Sequence, residues 1–171
     1  MKRFFIITLV LVMSVAIFSP DVSFSQRVVK KYNQAIMGNP LGFAFGFFPL
    51  TYEMQISAEN SFTVGGVYYG YSGWNAFGLS ASYRWYLFQE KAKAIKGISF
   101  GPMIAFGFWS YENKTYDNSM SVAIGGEIAY KFIVEGGFVI EPIVQINFNV
   151  KQFDGLTYRP FGIGVNLGYA W

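Results

Sequence analysis

Cysteine is absent from all 171 residues, and so is histidine. The first absence excludes disulfides, thiolate metal sites, a cysteine nucleophile and a lipid anchor attached through cysteine. The second excludes Ser–His and Asp–His catalysis and histidine-ligated metals. Charge is scarce as well: Asp, Glu, Lys and Arg make up 13% of the chain, about half the share usual in a soluble domain. The net charge of +3 comes without a dense basic run, so nucleic acid is not an expected partner. After the N-terminal segment, no uninterrupted apolar run is long enough for a membrane-spanning helix.

What is abundant is aromatic and glycine. Nineteen Phe, 12 Tyr and 19 Gly favour strands and turns over helices. The N-terminus has the layout of a secretory signal peptide: Lys2 and Arg3, an apolar stretch over residues 4–18, and Ser23-Phe24-Ser25 before a cut at Gln26. The apolar stretch is shorter than the roughly 20 residues a spanning helix needs. Removing residues 1–25 takes away Lys2, Arg3 and Asp21 and lowers the net charge from +3 to +2. The expected organisation is a signal peptide over 1–25, a leader over 26–38 and one barrel over 39–171. In the leader, Val28, Val29, Tyr32, Ala35 and Ile36 fall at helical spacing, which fits a short interfacial helix or a plain lead into the first strand.

From Asn39 onward the hydrophobic period is two. One face carries Leu50, Tyr52, Met54 and Ile56, then Leu79, Tyr83, Trp85 and Leu87, then Phe100, Ile104, Phe106 and Phe108. The same face continues with Val122, Ile124, Ile128, Tyr130 and Phe132, and with Ile140, Val144, Ile146 and Phe148. A soluble sheet alternates too, but it shows charged residues to water. Here the opposite face is mostly Gly, Ala, Ser and Asn with single charges, which suits the crowded inside of a narrow barrel. The aromatic and aliphatic face then points outward, a pattern at home only in lipid, where backbone groups must be satisfied internally and a sheet must close.

The expected fold is all-β, a closed antiparallel transmembrane β-barrel of eight strands. The strands are read near residues 40–47, 50–57, 62–71, 78–88, 97–110, 119–132, 137–150 and 159–171. The division at Pro49 keeps the count even. The glycines at 65, 66 and 70 leave the register of 62–71 open. The links at 58–60, 89–96 and 134–136 would lie on the periplasmic side, and those at 72–77, 111–118 and 151–158 outside. Asn113-Lys114-Thr115 fits a glycosylation sequon and is read as a chance match. Aromatics near segment ends, among them Tyr68, Tyr69, Tyr71, Trp74, Trp85, Tyr86, Trp109, Tyr111, Tyr158, Tyr169 and Trp171, are candidates for two interfacial girdles.

Residues 39–171 resemble the small eight-stranded outer-membrane β-barrels of Gram-negative bacteria. Within that class they look like barrels whose first hairpin carries Asn39-Pro40-Leu41 and Tyr52-Glu53, followed by a strand such as Tyr83–Leu87. The resemblance implies an outer-membrane location, lipid as surroundings and the barrel-assembly machinery as a partner during insertion. It also gives the last strand a meaning. Phe161, Ile163, Val165, Leu167, Tyr169 and Trp171 alternate to the final residue, and in such proteins that pattern is the assembly signal.

The inward face gathers Glu53, Arg84, Glu127, Lys131 and Glu141, with Gln145, Asn147, Asn149 and Asn166. Buried charges must be paired, so the five are expected to form an ion-pair network in the lumen. Lys131 and Glu141 face each other diagonally across the 134–136 turn. A constitutive pore is not expected, because side chains fill a barrel of this size. Partner exchange within the network would instead make a narrow gated channel. Glu127 and Glu141 invite comparison with acid–base pairs, but lipid-modifying barrels of this size depend on a histidine. The expectation is a non-enzymatic barrel without metal or cofactor. Its role is structural or surface-interacting, with a gated channel or small hydrophobic-ligand binder as the alternative.

Overall fold

The computed structural model describes residues 32–71, 74–87, 95–111, 119–151 and 161–171. The segment read as a signal peptide, residues 26–31 of the leader, the sequon and residues 72–73, 88–94, 112–118 and 152–160 of the links fall outside these residues, as does Tyr158. The chain is a closed antiparallel barrel in which each strand pairs with its sequence neighbours and the last with the first. The strands are β1 (Gln34–Gly38), β2 (Phe47–Gln55), β3 (Asn60–Tyr71), β4 (Trp74–Tyr86), β5 (Gly97–Tyr111), β6 (Ser119–Ile133), β7 (Phe138–Lys151) and β8 (Phe161–Ala170). One helical turn, α1 (Pro40–Phe43), stands between β1 and β2.

Eight is the expected number, but the first strand is not where the period-two reading put it. Residues 40–47 do not form a strand; β1 lies upstream, at the end of the segment read as leader. The cause is Asn39. Its side-chain oxygen accepts from the N–H groups of Leu41 (3.0 Å) and Gly42 (3.2 Å), and Pro40 follows at the first helical position. That is a helix start, since proline there lacks only an N–H that would have no intrahelical partner. The alternating phenylalanines at 43, 45 and 47 imitate a strand across what is a helical turn and its exit.

The two faces divide as the alternation requires. Ile128 is 57% exposed and Ile146 45%, with Phe106 and Val165 half-exposed, whereas Glu127 on the opposite face is 6% exposed. In β3, Phe62, Val64 and Tyr68 point outward while Ser61 and Thr63 are buried, which settles the register the glycines obscured. Two girdle candidates prove to be lumenal. Tyr86 is buried, and Tyr69 points inward with its ring 4.4 Å from that of Phe47. Tyr68, Trp85, Tyr169 and Trp171 stay on the outside.

The end where β1 begins and β8 finishes is sealed by an apolar plug. Ala35, Met37, Tyr86, Ile95, Ile133, Val139 and Ala170 pack together, with Tyr32 against them. Ile95, read as part of the 89–96 link, is completely buried, and its N–H donates to the carbonyl of Tyr32 at 3.1 Å. The 134–136 link is a tight turn closed by Gly137 N–H to the Val134 carbonyl at 3.0 Å. Gly136 there has φ +96°, as its place in the turn demands.

Candidate functional site

Directly above the plug, five charged side chains from four strands meet in the lumen. Arg84 on β4 is the hub. Its Nε donates to Glu127 Oε1 at 2.6 Å, and its Nη1 donates at 3.0 Å to both Glu53 Oε2 and Glu141 Oε2. Lys131 on β6 pairs with Glu53 Oε2 and, at 3.0 Å, with Glu141 Oε2. The period-two pattern places these residues on one face, and the barrel's tilt brings β2, β4, β6 and β7 to one level around the axis.

Neutral groups complete the arrangement. The Ser61 and Tyr86 hydroxyls each donate to Glu53 Oε1 at 2.5 Å, so that carboxylate accepts from four donors. Asn166 Nδ2 serves Glu141 Oε1 at 3.0 Å. Ser82 donates to Glu127 Oε1 at 2.5 Å and shares a 2.6 Å hydrogen bond with Thr63, while Gln145 Nε2 reaches Glu127 Oε2 at 3.1 Å. A buried ion survives when its remaining lone pairs are also satisfied, and these hydroxyls and amides do that. Ser61, Thr63, Ser82 and Tyr86 are members of the network beyond the charged and amide residues that the sequence marks. Their position on the inward face, next to charged residues, is the signal that could have found them.

Gly101 on β5 lets the backbone of β4 come close beside Arg84. A Cβ there would collide with the Tyr83 carbonyl and lie 3.2 Å from Arg84 Cα. The variant Gly101→Ala is expected to lose about 1–3 kcal/mol of stability through overpacking, read as a lower urea midpoint for the barrel reconstituted in lipid vesicles.

Three carboxylates and two cations leave the network with one formal negative charge. Above it, the half of the lumen away from the plug holds a cavity of about 760 Å³. Of the five ions, only Arg84 and Glu127 border it. Its walls mix small or polar residues, such as Ser80, Ala123, Gln145 and Asn147, with larger apolar ones, such as Phe47, Met103 and Ile143. Asn147 Oδ1 is buried without a hydrogen-bond donor. Among the described residues, no cluster of acidic side chains has the makings of a metal site.

The five outward residues of β8, and Trp171 after it, run as the sequence alternates: Phe161, Ile163, Tyr169 and Trp171 are exposed, and Val165 and Leu167 are half-exposed. Trp171 follows the strand and closes the seam. Its carbonyl accepts from Asn33 N–H and Gln34 N–H at 3.0 and 3.1 Å, and its N–H donates to the Gln34 carbonyl at 3.0 Å.

No protein-family model matches the sequence, and no curated protein matches it either. Solved structures do. The outer membrane protein Ail of Yersinia pestis, determined in a phospholipid bilayer nanodisc, aligns over 82% of this chain and 100% of its own, with a TM-score of 0.52 and 10% identity. The N-terminal β-barrel domain of Pseudomonas aeruginosa OprF aligns over 82% and 98%, with a TM-score of 0.48 and 13% identity. With its eight strands, apolar exterior and ion-filled lumen, the chain has the fold of the small eight-stranded outer-membrane β-barrels.

Proposed function

We propose that the chain is an integral outer-membrane β-barrel with a structural or surface-interaction role, neither an enzyme nor an open pore. The observation that carries this reading is the pairing of an apolar exterior with a lumen blocked twice. Large apolar side chains are exposed on every strand from β1 to β8, far more contiguous apolar surface than a soluble monomer exposes, and lipid is the solvent that accommodates it. Inside, the apolar plug and the ion network lie in series across the lumen. On this reading residues 1–25 direct export, bilayer lipid surrounds the strands, and β8 with Trp171 is the address read by the barrel-assembly machinery.

Two measurements test it. Protein reconstituted in lipid vesicles should show heat-modifiable gel mobility, and in a planar bilayer it should give no discrete conductance steps. Steps that vanish in Glu127→Gln would establish a gated channel instead. Failure to enter vesicles at all would remove the membrane reading itself.

A further inference from the structure

The barrel wall is incomplete on one side. β1 has only five residues, and β8 pairs with it solely through Leu167, Gly168, Tyr169 and Ala170. The far part of β8, residues 161–166, has β7 on one flank and no strand on the other. Across from it, Phe47, Phe48 and Pro49 of β2 pair with β3 but not with β1. Pro49 fits such an edge, because it has no N–H to leave unpaired.

The wedge between these two edges is spanned by α1. The turn's hydrogen bonds are internal, with Asn39 as cap and Phe45 N–H and Gly46 N–H donating back to the carbonyls of Gly42 and Phe43 at 2.9 and 3.2 Å, and the Phe43 ring stacks on Phe48 of β2 at 5.4 Å. Asn39 and Gly42 of this segment border the cavity together with Phe161–Gly164 of β8, so the wedge is a side wall of the cavity. Its outside is strongly apolar, with Phe45 70% and Ile163 75% exposed. No charged residue occurs from Asn39 to Tyr52 or from Phe161 to Trp171.

We propose that the far half of the lumen binds a single-chain amphiphile with a cationic amine head, taken sideways from the bilayer between β2 and β8, past α1. The head sits against Glu127, the carboxylate of the network that borders the cavity, and supplies the positive charge the network lacks. The apolar chain lies toward the wedge, where nothing charged would be desolvated. A volume of about 760 Å³ falls in the range of pockets that enclose molecules of this size. The proposal rests on the membrane reading, and heat-modifiable mobility of every sample separates a failure of that reading from a failure of this one.

The test uses dodecylamine as probe, dodecanol and butylamine as controls, and native mass spectrometry of the detergent-solubilised barrel to count bound molecules. The wild type should bind one dodecylamine. Glu127→Gln, which keeps the side chain's shape, should bind it about a hundredfold more weakly, and dodecanol should bind no better to the wild type than to Glu127→Gln. Should Glu127→Gln fail to fold, Ala123→Phe, which fills the cavity without touching the ions, should abolish binding.

Entry is tested by Asn39→Cys with Gly164→Cys, in a chain that has no cysteine of its own. A Cβ on Gly164 would lie 2.5 Å from Asn39 Nδ2 and 3.8 Å from its Cγ, so the two positions face each other. Oxidation should stop dodecylamine uptake and a reductant should restore it in the same sample. Equal binding of amine and alcohol, or unchanged amine binding in Glu127→Gln, would overturn the proposal. So would butylamine binding as tightly as dodecylamine, or uptake by the oxidised form at the reduced rate; either would mark a soluble ligand entering from the barrel's end.

Discussion

Replacing Arg84 with methionine should destabilise the barrel by about 3–5 kcal/mol, the range for breaking a buried ion pair from one side. The reason is arithmetic as much as geometry. Glu53, Glu127 and Glu141 would be left against Lys131 alone, and Glu127 would lose its one cationic donor. The measurement is the urea midpoint in vesicles, followed by loss of heat-modifiable mobility. Arg84→Lys should recover only part of the loss. The guanidinium donates through two nitrogens in a fixed plane to three acids, and an ammonium at the same place cannot reproduce that fork. Adding Glu127→Gln to Arg84→Met should restore part of the stability, because the orphaned carboxylate is then neutral. Coupling between contacting residues of this kind is about 0.5–3 kcal/mol. A midpoint unchanged in Arg84→Met would mean that the lumen does not depend on this hub.

That the hub could be read from sequence at all follows from the period of a strand. Successive side chains alternate faces, so a single charge among Gly, Ala and Ser marks the inside, and pairing is forced by the cost of burying it alone. Glu53, Arg84, Glu127, Lys131 and Glu141 were legible for that reason. Tyr86 was ambiguous because an aromatic near a strand end suits a girdle equally well. Its place on the face of Ser82 and Arg84 points inward, and closure of the barrel sets it beside Glu53. The same limit hid Ile95, whose burial depends on where a loop folds rather than on any local period.

The start of the barrel departs from the period-two pattern for a different reason. Five residues are too few for an alternation to stand out, and Ala35 and Ile36 also fit helical spacing. Asn39-Pro40 did carry a helix-start signal. It was outweighed by the phenylalanines after it, which alternate because the exit from α1 runs straight into β2. What no local pattern contains is the unequal length of β1 and β8. That inequality, visible only in the closed register, makes the side wall of the cavity.

Deleting Trp171 should prevent assembly of the barrel in cells while leaving export intact, but the deletion alone would not say why. The residue does two separable things. Its backbone makes three hydrogen bonds to Asn33 and Gln34 at a seam held by four residue pairs, so its loss weakens closure in any solvent. Its ring stacks on Tyr169 at 6.3 Å and lies 6.4 Å from Tyr52, on the outside, where assembly machinery could grip it. Trp171→Ala separates the two, since it keeps every backbone bond and removes only the ring. Refolded from urea into vesicles, this variant should reach nearly the wild-type folded fraction, whereas the deletion should not. In cells both should accumulate in the periplasm and lack heat-modifiable mobility. Were Trp171→Ala to reach the outer membrane at the wild-type yield, the ring would not be an address, and the residue's importance would reduce to closing the β1–β8 seam.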